Sequence, residues 1–340
     1  TIQRVVVPDS ERQFDIDTIL FDSDDSQDYS IVPHNLPRQA TPFVGRQNEL
    51  ESMDDMLGKP HIRLVTLLGP GGMGKTRLAL ESARENLKRF TDGVYFVPLA
   101  ALDDSSLIVP TIAEHINFVF GGAEDHLVQL SNYLGVKRML LVIDNFEHLL
   151  DTANIVSDIL QHSPNVKIIV TSRERLRLRD EHVFEVRGMI LPEVNESPEE
   201  MQEYPVVKLF LQSAHRVMPD FVVNEETAPH IARICIQVQG LPLGIELAAA
   251  WLEMLAVGEI VDEIDNSYDF LETELRDVPE RQRSIRAVFE YSWNLLREDE
   301  RDTFMKLTVF KGGFEREAAQ NVTKTGLRTL NSLINKSLLI

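Results

Sequence analysis

The chain has 340 residues, 43% of them hydrophobic, with 34 Lys and Arg against 54 Asp and Glu and a formal net charge of −20. That length holds roughly two or three domains, and a field of that sign repels phosphate backbones, which excludes non-specific binding of nucleic acid by this stretch. The single cysteine, Cys235, excludes an internal disulfide and a Cys-based zinc site; no apolar run approaches the ~18 residues of a membrane span, so a cytoplasmic globular chain without membrane contact is expected.

Residues 1–40 read as an acidic extension or linker. Asp9 to Asp28 carries eight acidic residues against Arg12 alone, interrupted by the apolar Ile19-Leu20-Phe21 and preceded by Val5-Val6-Val7. From residue 41 to 195 strands and helices alternate. Ile62–Leu68 is a continuous apolar run of buried-strand type, followed by a Gly-rich turn and a helical pattern over Thr76–Leu87. Further strands are expected at Val94–Val97, Met139–Ile143, Val166–Val170 and His182–Val186, with a helix over Glu147–Leu160. This alternation predicts a mostly parallel sheet covered on both faces. Pro192, Pro198 and five glutamates then mark a boundary. Beyond it only helical periodicity remains, over Val206–Val217, Thr227–Val238, Leu243–Leu255, Ser284–Leu296, Asp299–Leu307, Arg316–Val322 and Gly326–Leu333. The apolar Ser337-Leu338-Leu339 reads as an interrupted element, so the last domain is expected to be incomplete at Ile340.

Gly69-Pro70-Gly71-Gly72-Met73-Gly74-Lys75-Thr76 fits the G-x-x-x-x-G-K-[ST] phosphate loop, and it lies between a strand and a helix as that loop requires. Glycines let successive N–H groups point inward at phosphate oxygens, and the helix N-terminus adds partial positive charge. Lys75 is expected on the β- and γ-phosphates of ATP or ADP, and Thr76 on Mg²⁺. Asp144, ending the run Met139–Ile143, supplies the carboxylate for the same metal. Asn145 and Glu147 are both candidates to position or activate a water; Glu147 can accept a proton, yet an ordinary first-turn acid is an equal reading. Arg173, just past the next strand, can reach a γ-phosphate. Arg175, Arg177 and Arg179 crowd that segment, so a solvated basic face is its alternative. His148 is expected on a helix surface or beside Asp144; Cys235 in a core; Trp251, Trp293 and Tyr291 in packing.

Pro42-Phe43-Val44-Gly45-Arg46, the phosphate loop, LLVIDNFEHL, IIVTSRERL and Gly240-Leu241-Pro242-Leu243 occur in one order. The set resembles the signal transduction ATPases with numerous domains (STAND), NB-ARC-like and nearest to bacterial regulators of the maltose-activator and antibiotic-regulator type. The resemblance implies an α/β P-loop NTPase domain over 41–195, an all-α helical domain over 196–280 and a winged-helix domain over 281–340. It places Phe43, Val44 and Arg46 beside adenine and Pro242 on the base or ribose. With Gly69, Gly71, Gly72, Met73, Gly74, Lys75, Thr76 and Arg77 these form the expected nucleotide-contacting set. Many relatives carry a second acid directly after the metal aspartate; Asn145 stands there instead, which implies slow hydrolysis. The family's histidine for the β-phosphate has no match before Ile340. What is expected is a regulatory switch: ADP holds a closed state, and ATP drives opening and self-association, with effector and sensor domains outside this segment. A rapid-turnover ATPase motor is one alternative. The other is an ATP-dependent transcription regulator whose DNA contact lies elsewhere in the protein.

Overall fold

The apolar runs become the central strands of one sheet, where they are buried on both faces. A computed structural model describes residues 32–193, 196–273, 279–310 and 312–339; the acidic stretch Asp9–Asp28 lies outside them. The sheet is built from β1 (Leu64–Leu68), β2 (Val94–Pro98), β3 (Leu140–Asp144), β4 (Lys167–Ser172) and β5 (Glu181–Glu185). They pair in the order β2-β3-β4-β1-β5, all parallel. The period of two sends Leu141, Ile143, Ile168 and Val170 to one face, against α3 (Ile108–His115), α4 (His126–Leu134) and α5 (Asn154–His162). Val65, Leu67, Leu140, Val142 and Ile169 face the other way, onto α1 (Gln47–Gly58) and α2 (Lys75–Glu85). Inserting β4 between β1 and β3 brings the carboxyl ends of all three together at Leu68, Asp144 and Ser172, the edge of an open α/β sheet where ligands bind.

The end of the acidic extension belongs to this layer. His34 bridges Val94 at the start of β2, Leu36 is buried, and the Asn35 side-chain amide accepts from Phe96 N at 2.6 Å and donates to Phe96 O at 2.9 Å. The side chain thereby imitates a neighbouring strand and covers an edge that would otherwise stand unpaired.

The single helix expected over Glu147–Leu160 is corrected by the structure. Asn145 adopts a left-handed backbone at φ 63°, two short 3₁₀ turns follow at Phe146–His148 and Leu150–Thr152, and α5 begins only at Asn154. The break drives Phe146 and Leu149 into the core under β3. His148 is likewise neither on a helix surface nor at Asp144: its Nε2 lies 3.0 Å from Leu102 O.

A second core joins α6 (Pro198–Met201), α7 (Pro205–Val217), α8 (Ala228–Gln237), α9 (Pro242–Ala250) and α10 (Val257–Asn266) around Phe210, Ile231, Cys235, Ile245 and Ile260. Burial pushes the Cys235 thiol up to about 12. A third, smaller core of Leu296, Leu307, Ala319, Leu330 and Leu333 holds α11 (Ile285–Asn294), α12 (Glu298–Leu307), α13 (Arg316–Thr323) and α14 (Leu327–Asn335). Trp293 packs at its margin, and Trp251 stacks on Phe270 in the second core. No helix among the described residues is long and apolar enough to cross a membrane.

Candidate nucleotide-binding site

The loop between β1 and α2 needs its glycines for two different reasons. Gly74 sits at φ 80°, open to glycine without strain, and caps α2 so that the helix starts at Lys75. Gly71 is short of space: a Cβ there would lie 2.6 Å from Arg173 Nη2 and 2.6 Å from Val288 Cγ1. The loop is thus pressed between the arginine after β4 and helix α11.

Lys75 is 8% exposed, and its Nζ donates to the carbonyls of Gly69 at 2.7 Å and Pro70 at 2.9 Å. Burial lowers its pKa to about 8, against the opposing pull of Glu147. An ammonium parked on loop carbonyls and short of counter-charge has much to gain from an arriving phosphate. Thr76 Oγ1 and Thr171 Oγ1 both donate to Asp144 Oδ1 at 2.6 Å, while Thr171 Oγ1 accepts from Asn145 N at 3.0 Å. Burial pushes the Asp144 pKa up, and the two hydroxyls pull it the other way. Hard oxygen donors from Thr76 and Asp144, set together beside a phosphate cradle, suit Mg²⁺; when bound, the ion would neutralise phosphate charge.

Glu147 is buried. Its Oε1 lies 3.3 Å from Arg173 Nε, whereas Oε2 has no hydrogen-bond partner among the described residues. Arg173 turns inward, 7% exposed, and Nη1 donates to Val288 O at 2.8 Å and Ser292 Oγ at 2.5 Å, with its guanidinium 4.4 Å from the Tyr291 ring centroid. Arg175 and Arg177 instead take the solvated positions, paired with Glu185 and Glu174. The segment therefore contains both of the readings its arginines allowed.

A cavity of about 240 Å³ opens above the loop. Phe43, Val44, Arg46, Gly71, Gly72, Gly74, Lys75, Thr76, Arg77, Asn145, Arg173 and Pro242 line it. Gly69, Met73, Asp144 and Glu147 lie behind this wall rather than on it. Arg46 also braces the site, since its Nη2 donates to Met73 O and Arg187 O, both at 2.9 Å. Arg77 holds Thr41 O and Pro42 O at 2.6 Å, fixing the segment that presents Phe43 and Val44. From the helical unit, Pro242 starts α9 and Leu243 N donates to Gly72 O at 3.3 Å. Met189, Leu209, Leu243, Glu246 and Gln282 complete the lining. Sequence reading missed these five; only Leu243 and Glu246 carried a signal, beside Pro242 and one helical turn beyond it.

A parallel sheet whose first strand feeds a phosphate loop, with a carboxylate at the end of a neighbouring strand, defines a nucleotide-binding P-loop fold. The NB-ARC domain family matches residues 46–182. A Mycobacterium tuberculosis protein named as an HTH-type transcriptional regulator is 34% identical over 286 residues, covering 82% of this chain and 31% of its own. A second protein of that organism, named only as uncharacterized, is 32% identical over 292 residues, 86% of this chain and 71% of its own. The crystal structure of a STAND protein with a tetratricopeptide repeat sensor from Pyrococcus horikoshii aligns at 18% identity and a TM-score of 0.42, over 89% of this chain and 40% of that one. The chain belongs to the NB-ARC family of P-loop proteins. It spans about a third of the length of the HTH-type regulators it matches.

Proposed function

We propose that this segment is a nucleotide-operated switch: ADP accompanies the closed arrangement of its three units, and ATP releases the C-terminal helices for self-association. In this reading residues 41–195 bind nucleotide, 196–280 form the helical domain, and 281–340 form a winged-helix domain acting as an intramolecular clamp. The observation that carries it is the engagement of Arg173. The guanidinium best placed to meet a γ-phosphate beside Gly71 is occupied by Val288, Ser292 and Tyr291 of α11. A ligand shifts such an equilibrium only through different affinity for its two states; competition between γ-phosphate and α11 for one guanidinium supplies that difference. Lys75 holds the β- and γ-phosphates, Thr76 and Asp144 the Mg²⁺, and Phe43, Val44 and Pro242 the nucleoside. The relatives named as HTH-type transcriptional regulators favour control of transcription as the output, with DNA contact outside this segment.

Denaturing the purified chain and identifying the released nucleotide by chromatography tests the reading. One ADP per chain, lost in Lys75→Ala, is the expected result. An empty site with free exchange overturns it. The buried, unpartnered Glu147 Oε2 favours a second reading, a rapid ATPase with Glu147 as base. Fast steady-state phosphate release, abolished by Glu147→Gln, distinguishes that from the switch.

A further inference from the structure

The cavity is built to hold a polyanion, yet one carboxylate lines it. Lys75 and Arg173 supply positive charge beside the phosphate loop, and Phe43, Val44, Leu209 and Pro242 supply an apolar slot. Glu246 is the single acid in the wall. A carboxylate facing a bound di- or triphosphate weakens binding unless it gains something else from the same ligand. Its place is no accident of a polar surface. α9 reads PLGIELAAA, and Gly244, Ile245, Leu247, Ala248 and Ala249 are all buried in the helical core, which leaves Glu246 as the one charged side chain on the helix. It follows Pro242 by four residues, so the two share a face.

Among the described residues the Glu246 carboxylate has no hydrogen-bond or ion-pair partner; Arg77 and Arg216 act on it only through their charge. Burial pushes its pKa up. The carboxylate faces the cavity with no protein donor on it, and the donors it can take there are ones a nucleoside carries. The Arg77 guanidinium reaches the carbonyls of Thr41 and Pro42, just before Phe43. A carboxylate within the field of Arg77 and on the face of Pro242 therefore stands at the nucleoside end of the cavity, where sugar hydroxyls can donate to it.

We propose that Glu246 accepts hydrogen bonds from the ribose hydroxyls and makes the site selective for ribonucleotides over deoxyribonucleotides. This rests on the nucleotide-binding reading above. Glu246 also ties the orientation of α9 to the sugar, adding a polar contact to the packing of Pro242.

The test measures the affinity of the full 340-residue chain, stripped of nucleotide, for ADP, 2′-deoxy-ADP, 3′-deoxy-ADP and GDP. Wild type is compared with Glu246→Ala and the near-isosteric Glu246→Gln, each checked for its melting temperature. Wild type should bind one or both deoxy analogues roughly ten- to hundredfold more weakly than ADP, the size of a lost bond to a charged acceptor. In Glu246→Ala, ADP should fall to the level of the deoxy analogues, whose own binding changes little; Glu246→Gln, with an amide oxygen left to accept, should lie between. Equal weakening of ADP and both deoxy analogues in Glu246→Ala overturns the proposal and leaves Glu246 a counter-charge to Arg77. A change in the ADP-to-GDP ratio with no change toward the deoxy analogues also overturns it, because Glu246 then reads the base. If wild type binds ADP without discriminating against either analogue, this proposal alone fails; if it binds no nucleotide at all, the site assignment fails with it.

Discussion

Arg173 Nη1 donates to the main-chain carbonyl of Val288 at 2.8 Å, and the same Val288 places its Cγ1 2.6 Å from where a Cβ on Gly71 would stand. One residue of α11 therefore covers the phosphate loop and occupies the arginine beside it. Ser337 Oγ adds a bond to Arg173 O at 3.0 Å, so α14 is anchored to the same point.

Arg173→Ala removes two bonds to α11 and the stacking on Tyr291. Buried charge-assisted bonds contribute about 1.5–3 kcal/mol each, so ADP should dissociate roughly ten- to a hundredfold faster from the variant. Ser292→Ala should give a smaller change in the same direction. Stopped-flow release of a fluorescent ADP analogue measures both. Unchanged rates in Arg173→Ala would mean that α11 does not gate the site.

Lys75 makes nucleotide binding depend on pH. Its folded pKa, near 8, lies below its ordinary 10.5. Between those values the unfolded chain binds more protons than the nucleotide-free folded chain, so the folded form gains stability as pH rises through that window. Bound phosphate favours the charged ammonium and moves the pKa back up, so ADP binding at pH 8.5–9.5 should draw in a fraction of a proton, about half or more. Calorimetry in buffers of different ionisation enthalpy reads this uptake, which should vanish in Lys75→Met if that variant retains measurable affinity. Uptake that persists would place the proton elsewhere.

The sheet was legible because its central strands are built on apolar runs, and all five strands, the polar-flanked edge strand β5 included, fall within two residues or so of where the pattern puts them. The phosphate loop and Asp144 were legible because their chemistry constrains residue type at fixed spacing. α1, α3, α4 and α10 went unread; α3 and α4 are short and α1 buries only Leu50, Met53 and Leu57, but α10 carries Val257, Ile260, Val261 and Ile264 at helical spacing, a signal that was there to read. The helix at Glu147 failed for another reason. Its apolar spacing was helical, but the left-handed Asn145 and the inward pull of Phe146 outweighed periodicity. Arg173 was picked as a phosphate sensor, while its bonds to α11 depend on how two units dock, which spacing within one segment cannot encode. Met189 and Leu209 entered the cavity for that reason too.

Thr171 is the residue in the metal cradle that motif reading passed over. It donates to Asp144 Oδ1 at 2.6 Å and accepts from Asn145 N at 3.0 Å, fixing both the carboxylate and the left-handed turn after it. Such a partner orients a ligand without touching the metal. Thr171→Val keeps the volume and removes both bonds. The gain in nucleotide affinity on adding Mg²⁺ should fall by about tenfold, while affinity in the presence of a chelator changes little. An equal loss with and without Mg²⁺ would assign Thr171 to the fold alone.

Glu300 and Lys336 join the C-terminal unit from within. Glu300 is fully buried; it accepts from Lys336 Nζ at 2.8 Å, Ser332 Oγ at 2.6 Å and Arg297 N at 2.9 Å. Burial alone would raise its pKa, but these donors outweigh it and bring the carboxyl down to about 2. A folded pKa below the ordinary 4.5 means that the stabilisation is complete above that value and is lost as pH falls toward 2. Lys336 also donates to Leu295 O at 2.8 Å and lies 3.9 Å from Glu174, next to Arg173. Lys336→Met leaves the buried carboxylate with only the more exposed Arg297 guanidinium, 3.1 Å away, and removes a charge-assisted bond that contributes about 1.5–3 kcal/mol. The C-terminal helices should then lose protection first in hydrogen exchange at pH 7, with the sheet unaffected, and ADP should exchange faster because α11 is held less firmly. Intact protection of α12 and α14 in the variant would show that the pair adds nothing beyond its own desolvation cost.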